Sequence, residues 1–143
     1  MSIHLEAAFP VSPERVYELL TDGAEFAAAT GMPAEIGGGE GAEFSVFGGR
    51  ILGRQIERIP GKRVVQAWRM PDWALGVYSL VRLTLTPEGA GTKLAVDQDA
   101  CPEGKSPMFP SWHEHFTAGW PMFYFEPFAK YFAGESERVV SAR

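Results

Sequence analysis

The chain has 143 residues, 13 Lys and Arg against 18 Asp and Glu, and a net charge of -5. Its basic residues are scattered, which argues against nucleic acid as a partner, because that needs concentrated Lys and Arg to displace counterions. No apolar run reaches membrane-spanning length, so no membrane span is expected, and the single cysteine, Cys101, leaves no intrachain disulfide.

Without a charged leader followed by an apolar run, the expected location is cytoplasmic. The length suits one domain, expected over residues 1–134 with a short flexible tail at 135–143. Ile3, Leu5, Ala7 and Phe9 alternate with His4, Glu6 and Ala8, the period of a strand with one buried face. Ser12 before Pro13 marks a helix start, and Val16, Leu19 and Leu20 form its stripe up to Thr21. Asp22 caps a second short helix that Gly31 ends. The glycines of 37–41 read as a turn and not as a phosphate cradle, since no Lys-Ser/Thr pair or helix follows. Five strands are then expected, over 42–47, 50–59, 63–70, 76–86 and 92–100, joined by hairpin turns into an antiparallel meander. Alternation points Phe44, Val46, Val64, Trp68, Val81, Leu83, Leu94 and Val96 inward. It points Arg54, Arg58, Arg69, Arg82, Lys93, Asp97 and Asp99 outward, toward water.

Residues 111–134, SWHEHFTAGWPMFYFEPFAKYFAG, are apolar and long enough for a major core helix. Ser111 with Glu114 three residues on is a capping box, and Gly134 is a stop signal. On a regular wheel Trp112, Phe116, Trp120, Phe123, Tyr124, Phe128 and Tyr131 share one arc. Pro121 and Pro127 each remove an amide donor, so a kink is expected near Gly119 to Pro121. The elements together describe an α+β fold, a curved antiparallel sheet wrapped around one long C-terminal helix, with two short helices after the first strand.

The segments VYELLT at 16–21, FGGRILG at 47–53, IPGKRVVQAWR at 59–69, GTKL at 91–94 and the Gly119-Trp120 pair, in this order and spacing, resemble the heat-shock protein 90 ATPase activator homologue family. That family belongs to the START-like, birch-pollen-allergen-like helix-grip superfamily (SRPBCC), and the match runs from about Ile3 to Gly134. The resemblance implies the helix-grip fold. Among functions it implies ligand carriers, polyketide cyclase-like enzymes and chaperone activators.

Alternation also points all three glutamines, Gln55, Gln66 and Gln98, inward. Buried amides need partners, and three converging on an aromatic helix would orient a ligand in an apolar pocket, unless they sit at strand ends and meet solvent. The expected ligand-binding set is Phe44, Val46, Gln55, Gln66, Trp68, Val81, Gln98, Trp112, Phe116, Trp120, Phe123 and Tyr124, around a small apolar or amphipathic molecule, with no cofactor. Trp73, read as an exposed turn residue, and the family resemblance suggest instead a chaperone-type protein partner. An enzymatic alternative would use Tyr124, His113 or an inward Glu57. His113 and His115 lie two apart on a helix and do not converge on a metal.

Overall fold

The computed structural model describes residues 2–141, with side chains as far as Glu135. Strand β1 (Ile3–Phe9) is followed by helices α1 (Pro13–Thr21) and α2 (Gly23–Thr30). Strands β2 (Glu35–Ile36), β3 (Glu43–Val46), β4 (Ile51–Ile59), β5 (Arg63–Arg69), β6 (Ser79–Glu88) and β7 (Gly91–Asp99) come next. The last part is helical throughout: α3 (Trp112–Gly119), a π-helical segment (Trp120–Phe125) and α4 (Glu126–Ser141). The seven strands form one antiparallel sheet in the order β1-β7-β6-β5-β4-β3-β2. Every neighbouring pair after β1 is a sequential hairpin, and β1 closes onto β7.

The local signals act through their side chains. Ser12 Oγ accepts from Arg15 N, Asp22 accepts from Ala24 N and Glu25 N, and Gly31 ends α2 in the left-handed region at φ 73°. The two-residue β2 adds a strand too short for any alternation to announce.

Register makes the sheet a grid. One row across the inner face reads Gln55, Gln66, Val81, Gln98 and Ile3. One row across the outer face reads Glu43, Arg54, Ala67, Leu80 and Asp99. A bulge between Gln55 and Glu57 shifts the phase of β4. Glu57 therefore lies opposite Val65 on the outer face, paired with Arg63 at 2.6 Å, and is not the inward carboxylate that alternation implies. Arg58 is moved to the inner side opposite Val64, where its guanidinium donates to Thr21 O and Gly37 O, and not to the outer face.

The terminal helix also departs from the regular wheel. Its buried residues are Trp112, Phe116, Trp120, Tyr124, Phe128 and Phe132, a strict repeat of four. In an α-helix such a repeat drifts by about 40° per step. The π segment takes more residues per turn and brings the stripe back onto the sheet. Its cause is the proline pair: the Glu126 amide reaches Pro121 O five residues back, in a stretch where Pro121 and Pro127 have no amide to give. Phe132 is thereby buried, while Phe123 turns 40 % exposed. The helix passes the expected stop at Gly134 and continues to Ser141, so residues 135–141 of the expected tail are helical. Residues 142 and 143 lie outside the described residues.

Arg15 staples three helices. It donates to Glu25 of α2 and to Glu135 of α4, and Tyr131 Oη donates to Glu25. Arg15 hydrogen bonding is the main reason the Glu25 carboxyl titrates below its ordinary value. Because the folded value is depressed, this contribution is full above the unfolded carboxylate pKa of roughly 4.3 and fades as pH falls through the folded value. Arg15→Met is expected to cost about 2 kcal/mol at pH 6. It should also flatten the loss of melting temperature between about pH 5 and pH 3 relative to the unmodified chain. Thermal melts across that range check both.

Candidate functional site

Beneath the terminal helix the expected site residues do come together, but as a packed layer. Trp68 of β5 stacks on Trp120 at 4.8 Å between ring centroids and 23° between planes. Tyr124 and Phe116 flank Trp68 at 5.8 and 6.1 Å. Phe26 of α2 and Phe47 each meet the Tyr124 ring edge-on at 5.5 Å. Sequence alone did not single out either ring. Phe47 sits at φ 55°, the first of three consecutive left-handed residues with Gly48 and Gly49, a strained turn that holds its ring inside. The rings expected to wall a cavity therefore touch one another. Phe44, Val46 and Val81 are buried in the same core, with the Phe44 ring against Gly53. Phe123 contacts Phe47 from the rim and does not enter this layer.

Trp73 is not exposed. Only 8 % of it meets solvent, because its ring packs edge-on against Trp112 at 5.2 Å and Phe116 at 6.1 Å. The β5–β6 turn folds under the start of α3, a contact that no local signal in a Pro-Asp-Trp turn reveals.

Two indole–amide chains run through the layer. Trp120 Nε1 donates to Gln98 Oε1 at 2.8 Å, Gln98 Nε2 to Ser79 Oγ at 3.0 Å, and Ser79 Oγ to Asp99 O at 2.8 Å. Trp68 Nε1 donates to Gln66 Oε1 at 2.8 Å, and Gln66 Nε2 to Gln55 Oε1 at 3.2 Å. The first chain ends on a backbone carbonyl. The second ends at Gln55 Nε2, which is buried with no protein partner among the described residues. Burial alone raises the Tyr124 phenol far above its ordinary pKa, so it stays protonated at neutral pH. His113 reaches Ser2 O, whereas His115 packs against Phe109 and Trp112, so the two imidazoles diverge.

The outer face of the sheet differs from the purely polar surface that alternation suggested. Ile56 is 48 % exposed and Leu80 39 % exposed, and Tyr78 is open to a similar degree. A groove of about 600 Å³ runs over this face, lined by Ile36, Ser45, Leu52, Arg54, Arg69 and Tyr78. Arg54 pairs with Glu43 at 2.8 Å, whereas Arg69 and Arg82 form no ion pair among the described residues.

A family model described as Activator of Hsp90 ATPase homolog 1-like protein matches residues 10–133. A relative from Dictyostelium discoideum, an activator of 90 kDa heat shock protein ATPase homolog, is 32% identical over 88 residues, covering 62% of this chain and 23% of the relative. The chain spans about a quarter to a third of the length of the curated relatives it matches. The crystal structure of an HSP90 activator from Plasmodium falciparum superposes with a TM-score of 0.80 at 26% identity, over 88% of this chain and 91% of that one. The crystal structure of Ara h 8.0201 gives a TM-score of 0.71 at 16% identity over 94% and 98% of the two chains, a likeness of fold alone.

Proposed function

The chain belongs to the family of Activator of Hsp90 ATPase homolog 1-like proteins, and from that premise we propose that it is a protein-docking module presenting the outer face of its sheet to a chaperone of the Hsp90 type. The observation that carries this reading is the exposure of Ile56, Tyr78 and Leu80 on that face, beside the groove over Leu52. Apolar side chains rimmed by charge are the makeup of an interface centre and its edge. Arg69 and Arg82, without ion pairs among the described residues, favour an acidic rim on the partner. Similarity to activators of the 90 kDa heat shock protein suggests the chaperone as that partner.

The test is chaperone ATPase turnover with and without the protein. The unmodified chain is expected to raise it. Leu80→Glu, which adds a charge to a side chain already half in water, should lose at least about tenfold in apparent affinity while melting within a few degrees of the parent. Unchanged turnover with the parent protein, or equal stimulation by Leu80→Glu, refutes the reading.

One observation favours a second reading, the binding of a small amphipathic molecule between sheet and helix. Gln55 Nε2 is a buried donor with no protein partner among the described residues, next to an aromatic layer of the kind that lines apolar ligand sites.

A further inference from the structure

The groove on the outer face carries an unlike charge at each end. Register places Glu35, Ser45, Leu52 and Arg69 in one row across four neighbouring strands, β2 to β5, and all four line the groove. Three strand spacings of about 4.8 Å set Glu35 and Arg69 roughly 14 Å apart. Neither forms an ion pair among the described residues. Between them lie one hydroxyl and one apolar side chain. The adjacent row holds Glu43 and Arg54, which neutralise each other at 2.8 Å.

Arg69 is set in place before any partner arrives. Its Nη2 donates to Trp73 O at 2.6 Å, and the Trp73 ring is clamped against Trp112 and Phe116. A side chain ordered in advance loses little rotamer freedom on docking. Arg69 is also partly buried. The Trp73 carbonyl accepts a bond from it but supplies no counter-charge, and the same holds for water. A partly desolvated cation in that condition attracts a carboxylate more strongly than a fully solvated one does. Glu35, exposed at the other end of the row, repels a carboxylate there.

We propose that this groove receives a short amphipathic segment of the partner protein in one direction only, with an acidic side chain at Arg69, an apolar one over Leu52 and a basic one at Glu35. The inference rests on the outer-face docking reading and gives the partner's segment its chemistry and polarity. Unlike charges at the two ends fix orientation and register, because the reversed segment would set like charges against each other at both ends. A partner that is merely acidic would use Arg69 and be opposed by Glu35. The two cases therefore predict opposite effects of removing the Glu35 charge.

The experiment measures the apparent affinity of the full chain for an Hsp90-type chaperone, through ATPase turnover, with the parent protein, Arg69→Gln, Glu35→Gln and Leu80→Glu. Arg69→Gln is expected to weaken binding at least about tenfold, as befits a charge-assisted contact. Glu35→Gln should weaken it about two- to fivefold, the range for an exposed ion pair. Glu35 is exposed and unpaired among the described residues, so its change leaves folding intact. Tighter or unchanged binding by Glu35→Gln overturns the two-ended assignment, and unchanged binding by Arg69→Gln overturns the acidic anchor. If Leu80→Glu loses affinity while both groove variants match the parent, the groove assignment falls and the docking face stands. If the parent itself does not engage the chaperone, both fall. The side-chain Nε resonance of Arg69 in the 15N-labelled parent gives a readout that needs no variant at position 69. It should move when the chaperone is added, and an unmoved resonance at a concentration that alters turnover counts against the proposal.

Discussion

Trp68→Ala lowers stability by about 3 to 5 kcal/mol, the range for removing a large aromatic side chain from a core, and brings the melting temperature down by roughly 10 °C. Trp68 is buried and sits at the centre of the layer, stacked on Trp120 and flanked by Tyr124 and Phe116. Its loss opens a cavity that these rings, from α3 and the π-helical segment, cannot fill by small shifts. It also removes the donor to Gln66 Oε1, leaving a buried acceptor unpaired. Trp68→Phe separates the two effects: it keeps most of the packing and costs only the orphaned acceptor, about 1 to 3 kcal/mol. Urea unfolding of both variants checks this. A loss below about 1 kcal/mol for Trp68→Ala would show that the layer is loosely packed.

Gly53→Ala is expected to be the most damaging small change, at about 3 kcal/mol, the upper end for an overpacked core. A Cβ there would press into Ala67 O of the paired strand and stand 2.7 Å from two carbons of the Phe44 ring. Ala67 lies in the fixed β4–β5 ladder and the Phe44 ring is buried, so neither has freedom to retreat. The contrasting change is Gly38→Ala, where a Cβ meets no atom within 4 Å. It should be neutral, or stabilising by up to about 1 kcal/mol through lower entropy of the unfolded chain. Melting curves of the pair decide the matter, and similar losses in both would contradict the packing described at Gly53.

The inward placement of Gln55, Gln66 and Gln98 was legible because a strand's period of two is rigid and each glutamine shares its parity with apolar neighbours. The same reasoning failed two residues beyond Gln55, where the bulge reverses the faces of Glu57 and Arg58. A bulge is a matter of pairing between strands, and residues 50–59 alone do not encode it visibly. The terminal helix shows a parallel limit. Pro121 and Pro127 announced an irregularity, but its form, a π segment, governs which of Phe123 and Phe132 is buried. Its sign was present in the four-residue spacing of the aromatics, which a regular α-helix cannot keep on one face. Trp73 was misplaced because its burial depends on Trp112, 39 positions away in the chain and on a different element. The outer-face exposure of Leu80 follows from the same alternation that buries Ser79 and Val81.

Methyl resonances show whether the outer face of the sheet is the surface that meets the chaperone. Adding the chaperone to the methyl-labelled protein should shift or broaden Leu52, Ile56 and Leu80, while the inner Val64, Val81 and Leu83 keep their positions. Perturbation confined to the inner methyls, or none at a chaperone concentration that alters ATPase turnover, would contradict the account.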